Sequence, residues 1–448
     1  MVHGNSFIHQ NEYHGMLKRQ LGLWQTVLFG IGAMISAGIF SLVGVAGVEA
    51  GSALWLSFVI AAAVAMMNAL SYAELSSIFP NAGSVYAYSK NAFNSRKLSF
   101  LMGWFLIMAY VAACATLAFA FAQYFTGFFP YLPQAAVAAG ILVLPAFLNC
   151  VGIKEVSFVN MFTTLLKLGG LLAFIALFFM ATGITGLHFT TSSPNGMTGI
   201  LSASIIVFFA YLGFEVLATI AEEIKDVRKT LPRAILISIS ITALIYILIS
   251  LAFTSLLSYD QIVETVKQDK GALAVAGGVL GGEGFLQALG IIALLSMANT
   301  IIICLMGASR TIYGMAEDRA LPSQFLLTTS NGAPAVAIAA AVLLALPLVF
   351  TQNLALLAQV SVSGMFMVFI VDNFSLIALR IKGPTLRRPF SVPISIGRVP
   401  VIPVLASIAM AGLLLYEFAS DPGLLIGFGA LAVLGIIANE GEYRLTGD

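Results

Sequence analysis

Apolar runs of about 20 residues recur along the whole chain and are separated by short polar or charged loops. Each run is long enough to cross a hydrocarbon core of ~30 Å as a helix. The pattern therefore predicts an all-α polytopic membrane protein with twelve transmembrane helices. The spans are expected at 24–48, 52–77, 100–125, 134–153, 156–182, 199–223, 232–257, 284–314, 335–350, 354–380, 398–419 and 422–440.

Composition and charge placement support this class and give an orientation. The 448 residues are 60% hydrophobic and only 9% charged. All but three of the 21 Lys and Arg residues fall in loops and tails on one side of the predicted membrane; the exceptions are Lys167, Lys267 and Lys270. Positive loops face the cytoplasm, so we expect a multi-pass protein of the cell (plasma) membrane with both termini cytoplasmic and lipid around it. A net charge of +1, spread along this rim, argues against a nucleic-acid partner.

Motifs of enzymes and metal sites are missing from the sequence. The three cysteines, Cys114, Cys150 and Cys304, lie in apolar runs and have no metal-site spacing. The sequence contains neither His-Glu-x-x-His nor Gly-x-Ser-x-Gly. No catalytic residue, metal or cofactor is therefore expected, and an intramembrane enzyme is disfavoured.

The first span carries a glycine-rich stretch at residues 30–40, Gly-Ile-Gly-Ala-Met-Ile-Ser-Ala-Gly-Ile-Phe. Such weak helix formers at bilayer depth predict a broken helix beside a polar cavity. Carbonyls would be exposed around 32–35 and N–H groups around 36–38, which suits the two ends of a zwitterion. Close packing of a neighbouring helix on the small residues is the alternative.

A second break in the sixth span favours the first interpretation. Gly213 and Glu215 lie at mid-depth in that span. Interrupted helices one and six indicate a five-plus-five inverted repeat with its site at the midplane. The expected organisation is a cytoplasmic tail (1–23), two repeats (24–182 and 199–380), peripheral helices eleven and twelve (398–440) and a cytoplasmic tail (441–448).

Several motifs in order together resemble the amino acid–polyamine–organocation (APC) superfamily of amino-acid permeases. The first is Gly-Ala-Met-Ile-Ser-Ala-Gly-Ile-Phe at 32–40, in which Ser36 stands where the family usually has glycine. The other motifs are at 69–75, 79–83, 209–215, 221–225, 231–235 and 316–322. The resemblance implies a LeuT-like 5+5 repeat plus two peripheral helices and transport of amino acids or amines by alternating access.

The resemblance also implies substrate contacts. The substrate carboxylate would meet N–H groups of Ala37 and Gly38, and its ammonium would meet carbonyls near Met34, Phe209 and Leu212. Phe209 would cover the ligand as an aromatic gate. The substrate-binding set is completed by Ser36 and Phe208, with Ala113, Cys114 and Ile302 as further pocket candidates.

Lys167 lies in the middle of the fifth span, where a charge is costly. In proton-coupled members of the superfamily, a lysine in this helix occupies the place where sodium-coupled relatives bind sodium. By this resemblance its ammonium would face the Gly32 and Ile35 carbonyls, with Ser296, Asn299 or Thr300 opposite. Protons are therefore the expected coupling ion; a permanently charged lysine that only joins helices is the alternative.

Two further buried carboxyls have open roles. Glu215 follows the second break and either takes part in coupling or braces the opened backbone. Asp372 in the tenth span either faces the substrate path, where it would favour cationic ligands, or forms a gate pair by facing Arg380 or the cytoplasmic vestibule, which we favour. Glu74 and Glu417 lie near span ends, where a solvated or capping role is expected.

The predicted function is secondary active transport of amino acids, with a weak preference for neutral ones because the pocket candidates are apolar. Transport is expected to be proton-coupled or independent of sodium. An amino-acid or amine exchanger and a transporter-like nutrient sensor remain alternatives, since both would keep the same site. The sequence leaves the oligomeric state open.

Overall fold

The computed structural model describes residues 21–79, 84–151 and 153–433. Residues 1–20 of the predicted amino-terminal tail and the whole predicted tail 441–448 lie outside the described residues. Most of the 79–83 motif also lies outside them.

Helices account for nearly all of the described chain. In order they are α1 (Leu23–Met34), α2 (Ala37–Phe40), α3 (Leu42–Ala50), α4 (Leu54–Ile78), α5 (Ser84–Phe93), α6 (Arg96–Phe128), α7 (Gln134–Val151), α8 (Ile153–Thr182), α9 (Gly196–Phe208), α10 (Val227–Leu256), α11 (Tyr259–Lys267), α12 (Ala272–Glu317), α13 (Ala335–Val349), α14 (Leu354–Lys382), α15 (Val401–Ser420) and α16 (Pro422–Val433). Short 3₁₀ turns include Phe209–Tyr211 and Phe214–Glu223, which continue α9.

Nine helical stretches of the described residues are long and apolar enough to cross a membrane. Three further apolar helices, α1, α13 and α16, are shorter. The chain is therefore a polytopic helical membrane protein, and each predicted span overlaps one of these helices. The twelve-span count stays a prediction, because the three short helices do not reach the length of a full span by themselves.

Burial separates central helices from peripheral ones. The apolar stretch of α6 is 89% buried, whereas that of α7 is only 28% buried. α6 packs along α12 and α14, while α4 packs along α10. The broken segments α1–α3 and 209–223 lie inside this arrangement and contact each other through α2 and Phe209–Tyr211.

The peripheral helices expose large apolar side chains. Phe147 on α7, Phe158 on α8 and Leu415 on α15 are 68–70% exposed. In water such surfaces would cost free energy, whereas lipid tails match them. The outer surface therefore fits a bilayer.

A small antiparallel pair, β1 (Ser395–Ile396) and β2 (Val399–Pro400), lies between α14 and α15. The pattern of apolar runs gave no sign of it, because the strands are only two residues long. Gly397, with φ of 63°, provides the turn. The pair brings the loop after α14 against the end of that helix, where β2 contacts α14.

Candidate substrate site

The first helix breaks between α1 and α2. Ile35 has extended backbone angles (φ −71°, ψ 105°), as does Ser36 (φ −156°, ψ −148°). Two residues therefore leave the helical path within a fully buried stretch. The first amides of α2 begin a new turn and have no acceptor in a preceding turn.

The second break follows α9. Leu212 is extended (φ −67°, ψ 145°), and Gly213 has φ of 122°, a region that residues with a Cβ rarely adopt. The chain then continues as the 3₁₀ segment Phe214–Glu223. Gly213 is thus the residue that allows the helix to open.

Glycines bring the two breaks into reciprocal contact. A Cβ added to Gly38 would lie 2.4 Å from the Cα of Ala210 in the second broken segment. A Cβ added to Gly213 would lie 2.8 Å from the carbonyl carbon of Ala33 in the first. Each break therefore packs its glycine against the backbone of the other.

Side chains from four surrounding helices bond the carbonyls that the first break frees. Lys167 Nζ of α8 donates to Gly32 O at 2.8 Å, and Tyr246 Oη of α10 donates to Met34 O at 3.0 Å. The donors from the other two helices are Ser296 of α12, bonded to Ile35 O at 2.9 Å, and Tyr124 of α6, bonded to Phe40 O at 2.6 Å. These four carbonyls are thus satisfied by protein groups.

Lys167 is 1% exposed, and its hydrogen bond goes to a neutral carbonyl. Ser296 and Asn299, which the sequence analysis placed opposite it, bond other groups: Ser296 binds Ile35 O, and the Asn299 amide donates to Asn160 Oδ1 at 2.8 Å. Ile35 O is therefore a partner of Ser296, while Gly32 O is the partner of Lys167. The predicted coupling residues of α1, α8 and α12 lie together, but their hydrogen-bonded pairs differ from the predicted ones.

A cavity lies where the two breaks meet. The cavity is narrow, since only about 20 Å³ of it is wide enough to centre a water molecule. Its walls are mainly apolar and come from both breaks, α6, α12 and α14. The lining residues are Ala33, Ser36, Ala109, Tyr110, Ala113, Leu117, Phe209, Leu212, Gly213, Glu215, Val216, Thr300, Ile303, Cys304, Ser361 and Met365. A substrate larger than water needs these elements to move apart.

The cavity includes some predicted substrate residues and leaves others out. Ser36, Phe209 and Leu212 line it, as does the pocket candidate Ala113. Phe208 instead packs on Phe366 of α14 with ring centroids 4.6 Å apart, because the 3₁₀ turn at 209–211 changes which aromatic ring faces inward. The remaining predicted residues outside the lining are Met34, Ala37, Gly38, Cys114 and Ile302; Ile303 and Cys304 stand in the wall instead.

Glu215 is a cavity-wall residue that also braces the second break. It is 2% exposed, and its Oε2 accepts the Gly213 N–H at 2.8 Å. The carboxyl also lies beside the Tyr110 hydroxyl of α6. This geometry fits the bracing role that was left open, and it also places a carboxyl at the cavity.

The favoured gate pair of Asp372 and Arg380 is wrong. Arg380 forms a two-point ion pair with Glu74 at the end of α4, and Arg388 Nε lies 3.3 Å from the same carboxylate. Asp372 lies eight residues before Arg380, about 12 Å along α14, and is fully buried. Two turns of helix keep the carboxylate and the guanidinium apart.

The solvated or capping roles expected for Glu74 and Glu417 are also wrong. Glu74 is 0% exposed and accepts the Val392 N–H as well as the Arg380 hydrogen bonds. Glu417 is 3% exposed, and its Oε2 accepts the Ser363 hydroxyl of α14 at 2.8 Å. Both lie near helix ends, but other segments of the same chain cover them.

Sequence reasoning missed the tyrosines of the site. Tyr110 lines the cavity, and Tyr124 and Tyr246 bond the first break. A tyrosine in the middle of an apolar span was the available signal, since its hydroxyl needs a partner when buried. Among the described residues, no group of three or more His, Cys, Asp or Glu side chains is arranged to hold a metal ion.

Comparison with known proteins places this architecture in a family. The profile described as "Amino acid permease" matches residues 21–432. The branched-chain amino acid permease BcaP of Bacillus subtilis (strain 168) is 34% identical over 421 residues, which cover 87% of this chain and 86% of that protein.

Other relatives are similar over most of the chain. The methylthioribose transporter of the same organism is 30% identical over 445 residues, covering 91% of this chain and 89% of that protein. The mitochondrial cationic amino acid transporter 3 of Arabidopsis thaliana is 29% identical over 422 residues, covering 86% of this chain and 65% of that protein. These relatives are transporters, not enzymes. The chain therefore belongs to the amino acid permease family of the APC superfamily.

Proposed function

We propose that this permease is a secondary transporter that moves neutral, apolar amino acids by alternating access. The observation that carries the proposal is the cavity at the two breaks, with its mainly apolar wall. Ala113, Leu117 and Met365 suit an aliphatic side chain, since apolar contact is favourable once water is excluded. The name of the BcaP relative points to branched-chain substrates as the first to test.

Opened backbone would recognise the amino and carboxyl groups common to all amino acids. We place the substrate carboxylate at the Ala37 and Gly38 amides and its ammonium near the carbonyls of Phe209 and Leu212. Met34 O already accepts the Tyr246 hydroxyl, so it contributes less to this site than the sequence motif implies. Phe209, which is 4% exposed at the cavity wall, would cover the ligand.

Alternating access fits a narrow cavity between two packed breaks. Little of its space admits even a water molecule, so entry and release require the broken segments to separate from the helices around them. The proposed frame is a LeuT-like 5+5 inverted repeat of twelve spans in the cell membrane. Both termini would be cytoplasmic, as the distribution of Lys and Arg predicts.

Lys167 supports proton coupling without sodium. Its ammonium bonds Gly32 O within the first broken helix, so loss or gain of its proton would change the bonding of the same segment that holds the substrate. A bound sodium ion would be repelled by the ammonium at this place. Protonation and substrate binding would then be coupled through the unwound turn between Gly32 and Gly38.

Glu215 favours a second candidate, transport of cationic amino acids. Its carboxyl stands in the cavity wall, where it would attract a basic side chain. The Gly213 amide already bonds that carboxyl, which leaves the neutral candidate better supported. The relatives named as cationic amino acid transporters make this alternative worth testing directly.

Uptake into proteoliposomes tests the function. Labelled leucine, arginine and methylthioribose would be presented under a proton gradient, a sodium gradient or neither. We expect leucine to accumulate under the proton gradient alone, and protein-free liposomes give the background. Stimulation by sodium alone would contradict proton coupling, and stronger arginine uptake would favour the cationic candidate.

Two further measurements on the same preparation distinguish the remaining alternatives, an exchanger and a sensor. Exchange of internal for external leucine without net accumulation would identify an exchanger. Leucine that raises the unfolding temperature of the purified protein without any flux would indicate a sensor. A transporter gives both binding and flux.

A further inference from the structure

Asp372 lies on the α14 stripe that also forms part of the cavity wall. Ser361 and Met365 line the cavity, and Asp372 follows Met365 by seven residues. Two helical turns keep it on nearly the same face, about 10 Å further along the helix. It therefore lies between the cavity and the Glu74–Arg380 ion pair at the helix end.

Five buried polar residues of three packed helices form what we call the Asp372 cluster: Asn68 and Tyr72 of α4, Tyr88 of α5, and Asp372 and Asn373 of α14. Asn373 Nδ2 donates to Asn68 Oδ1 at 3.2 Å. Both Asp372 oxygens, the two tyrosine hydroxyls, Asn68 Nδ2 and Asn373 Oδ1 have no hydrogen-bond partner among the described residues. Unpartnered polar atoms at such density are unusual inside a protein and suggest a functional role.

The basic side chains at this end of α14 are bonded to other groups. Arg380 and Arg388 bind Glu74, and Lys382 donates to Ala92 O at 3.1 Å. Within the described part of the chain, an ionised Asp372 would therefore be a buried charge without a paired cation, which costs several kcal/mol. A protonated carboxyl is neutral and avoids the cost of burying a charge.

Tyr72 is a neighbour both of this carboxyl and of two residues of the cavity wall, Tyr110 and Glu215. It lies within electrostatic range of Asp372, Tyr88, Tyr110 and Glu215, which are the titratable groups facing it from α14, α5, α6 and the second break. The rings of Phe214 and Phe369 pack around Tyr72 with centroids 5.7 and 5.8 Å away. The surroundings of Tyr72 and Asp372 are therefore buried, and a proton is the one cation that binds a carboxyl without further ligands.

We propose that Asp372 is a proton-binding site, separate from Lys167, on the side of the cavity that faces the Glu74–Arg380 pair. The carboxyl keeps its proton while α4, α5 and α14 are packed together. When these helices separate and water enters, the O–H bond breaks, the proton passes to water and a hydrated carboxylate remains. The proton would be released toward the cytoplasm. Only this direction rests on the proposed function, because it depends on the orientation proposed there.

Infrared difference spectroscopy of the purified, full-length protein tests the protonation directly. A protonated carboxyl gives a carbonyl-stretch band that a carboxylate lacks. We expect part of this band to disappear in Asp372→Asn at neutral pH. Glu417→Gln removes another buried carboxyl and is the matched control; it should leave the Asp372 component in place. A protonated-carboxyl band of unchanged intensity in Asp372→Asn would overturn the proposal.

Labelling the aspartate carboxyls with ¹³C keeps the test decisive if Asp372→Asn does not fold. Among the aspartates that the structure describes only Asp372 is buried, so part of the protonated-carboxyl band of the unmutated protein should move to lower frequency on labelling. A protonated-carboxyl band that labelling leaves unmoved would overturn the proposal. Because the readout needs no transport, a protein that moves no substrate would contradict the proposed function and leave this result standing.

Discussion

Gly38 packs directly against the backbone of Ala210, a residue 172 positions later in the chain. This contact joins the two helix breaks. In a second contact, Gly213 of the second break packs against the backbone of Ala33 in the first. Because backbone meets backbone, neither contact can relax by a change of rotamer. The paired breaks therefore act as one rigid hub, and the surrounding helices bond to it.

Gly38→Ala is expected to damage this hub. The new Cβ would lie 2.3 Å from the Ala210 Cβ, so the two segments must move apart at a cost of about 1–3 kcal/mol. Transport should be lost and the unfolding temperature in detergent should fall. Gly140→Ala on α7 is the control: its Cβ meets nothing within 4 Å, so stability should change by less than about 1 kcal/mol. Equal behaviour of the two variants would argue against a rigid hub.

The glycine pattern predicted where the helices break, but it could not predict the partners of the opened backbone. Glycine and serine at bilayer depth are a local signal, and both breaks lie where residues 30–40 and 213 indicated. The Arg380–Glu74 pair joins residues 306 positions apart, so nothing near either residue identifies its partner. The sequence placed both Phe208 and Phe209 in the binding set, with Phe209 as the gate, but only the path of the chain through the 3₁₀ turn shows that Phe208 packs on α14 instead.

Lys167→Met should separate proton dependence from folding. Methionine keeps much of the apolar stem and removes the ammonium, which leaves Gly32 O without its donor at a cost of about 1–3 kcal/mol. If Lys167 is the coupling group, uptake by the wild type rises as the external pH falls, and the variant loses this dependence. The measurement is initial leucine uptake by proteoliposomes across a series of external pH values.

Lys267→Ala is the matched control for that measurement, since Lys267 is exposed on α11. It should retain the wild-type pH profile. A full pH dependence in Lys167→Met would show that coupling does not need this lysine. The Asp372 proton site would then be the next group to examine.

Arg380→Ala should destabilise the protein far more than loss of an exposed ion pair. Glu74 is fully buried, and removing one partner of a buried pair typically costs about 3–5 kcal/mol. The Val392 amide still donates to the carboxylate and the Arg388 charge still lies 3.3 Å from it, so we expect the lower end of that range. Lys90→Ala breaks the exposed Lys90–Asp318 pair and should cost about 1 kcal/mol at most. Similar unfolding temperatures for the two variants would mean that water reaches Glu74.

Ala113→Leu tests whether the cavity selects the substrate side chain. Ala113 lines the wall contributed by α6 beside Leu117, where a larger side chain would occupy the space that we assign to an aliphatic substrate. The apparent KM for leucine should rise about tenfold or more, equivalent to ~1.4 kcal/mol or more of lost binding. Alanine needs less of this space, so its apparent KM should change less. Ala136→Leu on the exposed face of α7 adds the same bulk away from the site and should leave both values unchanged. If leucine and alanine are affected equally, Ala113 does not contact the substrate side chain, and the apolar wall is then a packing surface that closes the transporter.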